Sequence, residues 1–160
     1  MSNDTKSTSA EQRLKELGIN LPRPPKPLGA YVETVQVGSL LFLSGTLPVE
    51  AGAAKFLGSI GGELSVDDGR RATRLAALNA LALVEQHLGS LDKVKRVVRL
   101  GVSLATTPGF REHPKVADAA SELMVDVFGA DKISTRLVVG VMSLPVGVCV
   151  VLETIFEIEA

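Results

Sequence analysis

Residues 137–152 carry no charge at all, and no other segment constrains the fold as tightly. The stretch is shorter than the ~20 residues of a membrane-spanning helix. Pro145 and Gly147 also interrupt it, and Pro-x-Gly reads as a turn. The valine-rich flanks are therefore expected to be two long strands, residues 134–143 and 148–158, joined across 144–147. Strand alternation places Val148, Val150, Leu152, Phe156 and Ile158 on one face of the second strand. Cys149, Val151, Glu153, Ile155 and Glu157 form a mixed opposite face.

Upstream, AEQRLKEL at residues 10–17 has the pattern of a short amphipathic helix stopped by Gly18. Pro22, Pro24, Pro25 and Pro27 then enforce an extended connector. Residues 31–37 and 39–44, separated by Gly38, read as a hairpin. Residues 46–62 are rich in Gly and Ala without periodicity and are expected to be a loop. Ser65 followed by Asp68 resembles a capping box and opens a helix that runs to about Leu88, with Leu75, Leu78, Leu81 and Ala82 on its buried arc. Residues 94–105 form a strand, and Pro114 starts a second helix over 115–128.

This order predicts an α+β domain: a mixed sheet with two main helices on one face, plus a short N-terminal helix. Residues 1–26 read as an extension, made of a disordered tail (1–9), the short helix and the proline connector. Residues 27–160 read as the domain. The half-apolar second sheet face has no helix left to cover it. With 46% hydrophobic and only 4% aromatic residues, this points to burial between subunits.

Composition also narrows function. Seventeen basic and eighteen acidic residues give a net charge of −1, so nothing draws the chain to nucleic acid or anionic lipid. One cysteine excludes an internal disulfide and fits a reducing compartment, with the cytoplasm as the expectation. His87 and His113 are far apart and join no Cys or His cluster, so both read as surface residues and no metal or cofactor is expected. Cys149 in mid-strand reads as a small hydrophobe. The glycine-rich 58–62 matches no phosphate-binding pattern.

Arg136 is the one cation at the start of the uncharged segment. A planar guanidinium beside apolar surface suits a small carboxylate gripped by two parallel hydrogen bonds. Taken alone, the segment is better explained by an ordinary strand-end arginine that reaches water or pairs with a surface acid.

Taken together, Gly29-Ala30-Tyr31, the run Gly38-Ser39-Leu40-Leu41-Phe42-Leu43-Ser44-Gly45-Thr46-Leu47-Pro48, Leu78-Asn79-Ala80-Leu81, the segment Leu88-Gly89-Ser90-Leu91-Asp92-Lys93-Val94, Thr135-Arg136, Ser143-Leu144-Pro145 and Glu153 in a valine-rich strand resemble the YjgF/RidA family, also labelled endoribonuclease L-PSP-like. The likeness covers about residues 27–158. It implies a chorismate-mutase-like fold and a homotrimer with clefts between subunits. The RidA-type activity it implies is deamination of 2-imino acids to 2-keto acids and ammonia.

By that resemblance Arg136 is the carboxylate-binding residue, Tyr31 lines the cleft, and Ser44 and Gly45 present backbone to the ligand. Val138 stands where the deaminases usually carry cysteine. The helix-borne asparagine falls near Ser121, and the glutamate associated with the attacking water falls at Val151. Glu153 points to the same face as Val151, one strand repeat further on. These departures imply a divergent subgroup. The expected function is an imine deaminase. The alternative is a non-catalytic trimer binding a small carboxylate, and a ribonuclease is disfavoured by the near-neutral charge.

Overall fold

The computed structural model describes residues 7–160, so residues 1–6 of the expected disordered tail lie outside the described residues. Helix α1, Ala10–Leu17, starts where the Ser9 side chain accepts from the Gln12 amide, and stops at Gly18 with φ of 66°. Its two buried residues, Ala10 and Leu14, join the main core. The Glu11 carboxylate accepts from the Leu91 amide at 2.9 Å and from the Ser90 hydroxyl at 3.2 Å. The N-terminal helix is thus fastened to the turn at Leu91–Lys93.

Five strands form the main sheet: β1 (Thr34–Val37), β2 (Leu40–Leu43), β5 (Val94–Ala105), β6 (Thr135–Val141) and β7 (Val150–Ile158). Their order across the sheet is β1-β2-β7-β5-β6. All neighbours are antiparallel except β5 and β6, which run parallel. A parallel pair requires a crossover, and helix α3, His113–Phe128, supplies it. Helix α2, Val66–Leu88, opens on a complete capping box between Ser65 and Asp68 and closes at Gly89.

Both long helices cover the same sheet face. Leu41, Leu100, Leu104, Leu152, Phe156 and Ile158 point into the core, fully buried. Each contributes about 1.5–3 kcal/mol through removal from water. Against them α2 presents chiefly small residues, Ala72, Ala76, Ala77 and Ala80, with Leu81, Leu83 and Val84 beyond. Leu75 and Leu78, expected on the buried arc, are only half-buried. At its first turn α2 also packs tightly on Ile60 and on Val116 of α3: a Cβ on Gly69 would fall 2.8 Å from Ile60 Cδ1 and 3.2 Å from Val116 Cγ1.

Residues 46–62 are more ordered than a plain loop. They contain a two-stranded ribbon, β3 (Val49–Glu50) and β4 (Ala53–Ala54). The fully buried Ile60 is tied to the end of β5 through its amide to Ala105 O at 2.9 Å. The absence of hydrophobic periodicity hid this, because strands of two residues show no period. Cys149, expected on the open face, is buried, since it lies outside the regular part of β7.

Among the described residues, no helix covers the opposite face of the sheet. Val35, Phe42, Leu137 and Val139 stand exposed on it, with Val151 and Ile155 half-buried. Among the described residues no helix is long and apolar enough to cross a membrane.

Candidate functional site

The register of β6 decides where Arg136 points. Arg136 pairs with Leu100 of β5, a core residue, so Arg136 and Val138 project toward the helices, and Leu137 and Val139 toward the open face. Two residues of α3 meet the guanidinium. Arg136 Nη1 donates to Asp118 Oδ1 at 2.7 Å and to Ser121 Oγ at 3.1 Å. The arginine therefore does pair with a surface acid; its side chain is 23% exposed and that of Asp118 49%. A pair this wet contributes about 1 kcal/mol or less to stability.

Both bonds come from a single nitrogen. Among the described residues Nε and Nη2 have no hydrogen-bond partner, so the Nε–Nη2 edge is the one that can take a carboxylate side-on. Val138, half-buried against the core, is the apolar neighbour on the same face.

Tyr31, Ser44 and Gly45 come together elsewhere, around a cavity of about 880 Å³. It lies between the proline connector, the 45–54 segment and the flank of α2 formed by Asn79 and Leu83. The Tyr31 hydroxyl accepts from the Leu28 amide at 3.0 Å, and Ser44 Oγ donates to Val32 O at 2.6 Å. Thr46 is buried and donates through Oγ1 to Ala76 O at 3.0 Å. Asn79 Nδ2 donates to the carbonyls of Leu47 and Val49, each at 2.9 Å. These bonds fix the chain on both sides of Gly45, whose own amide has no partner among the described residues. A fixed, unpaired N–H beside a cavity is the type of donor that stabilises developing negative charge.

Val151 belongs to this group. A Cβ built on Gly45 would sit 2.7 Å from Val151 Cγ1. Val151 carries no proton to give or take, so it offers only apolar contact. Glu153 shares the Val151 face but pairs with Gly101 of β5 and is exposed.

The expected site residues thus divide into two groups. Arg136, Val138 and Ser121 sit at the β6 edge, while Tyr31, Ser44 and Gly45 sit at the end of β2, with Val151 of β7 packed beside Gly45. Strands β7 and β5 lie between β2 and β6, a separation of about 14 Å at ~4.8 Å per strand. A four-carbon acid held by Arg136 does not also reach Tyr31, Ser44 and Gly45 of the same protomer.

Asp118 escaped the sequence reading. It is three residues before Ser121, so both share a face of α3. Which face meets Arg136 follows only from the β6 register. The histidines stay apart from both groups: His87 bonds Thr34 and Gln36 on β1. His113 is half-buried rather than a free surface residue, lodged where a Cβ on Gly140 would fall 2.5 Å from its Nε2 and stacked edge-on with Phe110. Burial pushes the Cys149 thiol up to about 11, which keeps it a neutral, unreactive thiol near neutral pH. Among the described residues no group of three His, Cys, Asp or Glu is arranged to hold a metal.

Comparison with known proteins gives consistent results. A family model described as YjgF/chorismate mutase-like, with an endoribonuclease label, matches residues 11–157. The chain is 38% identical to Protein TCP17 of Trypanosoma cruzi over 147 residues, 91% of this chain and 92% of that protein. It is 29% identical over 141 residues to a 2-iminobutanoate/2-iminopropanoate deaminase of Dermatophagoides farinae, 88% of this chain and 95% of that one. A crystal structure from Shewanella oneidensis MR-1 superposes with a TM-score of 0.90 at 33% identity, covering 94% of this chain and 99% of that chain.

Proposed function

This chain belongs to the YjgF/chorismate mutase-like family, and we propose that it is a cytoplasmic RidA-type deaminase, hydrolysing small 2-imino acids to 2-keto acids and ammonia. The observation that carries the proposal is the Arg136 guanidinium, held by Asp118 and Ser121 through Nη1 with its Nε–Nη2 edge unbonded. That edge binds the substrate carboxylate in two parallel bonds and orients the neighbouring C=N carbon. Water adds to this carbon, forming a C–O bond as the C=N π pair moves to nitrogen. Collapse of the adduct expels ammonia, and the iminium plus one water account for all atoms of the keto acid and ammonium. The deaminase relative supports this reaction class.

The reaction needs both residue groups, so the working unit is a homotrimer. The β6 edge of one protomer supplies Arg136 to the cleft lined by the Tyr31, Ser44 and Gly45 of its neighbour. The free Gly45 amide faces the adduct. The uncovered apolar sheet face, with Leu137 and Val139 adjoining Arg136 on β6, supports this assembly. The family's endoribonuclease label is not carried over, because a net charge of −1 offers no electrostatic footing for RNA.

Val151 favours a second reading, a trimer that binds a small carboxylate without turning it over, since a valine beside Gly45 moves no proton. Ammonia release from 2-iminopropanoate generated in situ separates the two. Release no faster than in a protein-free blank would overturn deamination. Loss of release in Arg136→Ala is the expected control.

A further inference from the structure

The chamber beside Gly45 is far larger than a four-carbon acid needs. Its volume of about 880 Å³ lies high in the range of about 300–1,000 Å³ that encloses drug-sized ligands. The walls are chiefly apolar: Pro22, Pro24 and Pro25 of the connector, Leu47, Leu83 of α2 and Val146. Val146 is exposed and holds φ of 51°, a costly backbone for a β-branched residue.

One polar group is built into these walls. Asn79 is buried, 1% exposed, and its Nδ2 is committed to the carbonyls of Leu47 and Val49. Those two bonds fix the amide and leave Oδ1 as a bare acceptor. Among the described residues the only sealed side-chain polar atom without a partner is Thr154 Oγ1. Asn79 Oδ1 is equally unbonded but not sealed, and its residue lines the chamber. A buried acceptor held in this way calls for a donor. It is anchored to Leu47, two residues beyond Gly45, and about 7 Å is the most that two residues of chain can span.

We propose that the chamber takes the side chain of the substrate, and that this side chain is an aromatic ring carrying a donor, a phenol or an indole. This rests on the deaminase reading and deepens it, extending the substrates from small 2-imino acids to 2-imino-3-arylpropanoates. With the carboxylate on the neighbour's Arg136 and carbon 2 at the Gly45 amide, the group on carbon 3 is the part left to enter the chamber. The prolines and Leu83 cover the ring, and its O–H or N–H ends on Asn79 Oδ1. Walls of proline are already rigid, so ordering them around a ligand costs little. Arg23 and Lys26 also border the cavity but are exposed, and Glu33 offsets part of their charge. That leaves the interior to an uncharged side chain.

The test is calorimetry on the full chain with four stable keto acids: 2-oxopropanoate, 2-oxo-3-phenylpropanoate, 2-oxo-3-(4-hydroxyphenyl)propanoate and 2-oxopentanedioate. The phenyl acid is expected to bind at least ~10-fold more tightly than 2-oxopropanoate through the apolar area it buries. The hydroxyphenyl acid should bind about fivefold more tightly again through its bond to Asn79. Ala54→Trp, which fills the chamber from β4, should cancel the gain of both ring acids. Ring acids that bind no tighter than 2-oxopropanoate overturn the inference, as does a ring preference that survives in folded Ala54→Trp. A hydroxyl that adds nothing overturns the assignment of the donor to Asn79. Tightest binding of 2-oxopentanedioate would give the chamber to an anionic side chain held by Arg23 and Lys26, and also overturns it. Binding of all four acids that persists in Arg136→Ala would instead defeat the anchor reading on which the inference rests.

Discussion

Gly45 and Val151 fit against each other so closely that any side chain added at residue 45 must displace its neighbour: a Cβ there would lie 2.7 Å from Val151 Cγ1. Glycine at this position is required by the neighbour, since Gly45 is not among the residues with positive φ. Val151 is stiff about χ1 and cannot turn away cheaply. Gly45→Ala is expected to destabilise the protein by about 1–3 kcal/mol. Val151→Ala introduced alongside should recover most of that loss. Denaturant titration of the single and double variants measures both. Additive effects would show that the two residues do not press on each other.

Arg136→Ala separates function from stability. An ion pair with one partner half exposed contributes about 1 kcal/mol or less, so the denaturation midpoint should hardly move. Binding of 2-oxobutanoate, however weak in the wild type, should vanish in calorimetry. Equal affinity in the variant would take Arg136 out of the site.

Val151→Glu is expected to raise deamination by at least ~10-fold, at the low end of what a positioned acid–base group contributes. Initial rates of ammonia release check this, with circular dichroism confirming the fold. An unchanged rate would mean that the proton comes from elsewhere or that no reaction takes place.

Leu137 and Val139 lie on the open sheet face, 52% and 41% exposed in the single chain. A trimer is expected at micromolar concentration in light scattering. Leu137→Asp, which places a charge on that face, should shift it toward monomer. A monomeric wild type would contradict the assembly.

The long elements were legible in the sequence because their signals are local. The Ser65–Asp68 capping box, Gly89 after α2 and the valine alternation of β5 and β7 each depend on a few neighbouring residues. The ribbon β3–β4 was not legible, being too short for a period. The alanine face of α2 was hidden for a different reason. Leucines dominate a hydrophobicity count, yet the face of α2 that meets the core is built chiefly of alanines, Ala72, Ala76, Ala77 and Ala80, while Leu75 and Leu78 lie at its margin. At the site, Arg136 stood out as a lone cation. Its partner Asp118 did not, because their meeting depends on β6 lying parallel to β5 with Arg136 opposite Leu100. The distance between the two residue groups was likewise invisible until the strand order put β7 and β5 between them.

The account depends most on Arg136 and Gly45 acting across a subunit boundary, and mixed oligomers test that directly. Arg136→Ala and Gly45→Val, each confirmed folded, should be inactive alone in ammonia release from 2-iminopropanoate. Unfolded and refolded together in equal amounts, they should regain about a quarter of wild-type activity. In a closed ring with one site per boundary, about one boundary in four joins an intact Arg136 to an intact Gly45. No recovery from a folded, mixed trimer would contradict the account, since it would place both residues' contributions within a single protomer.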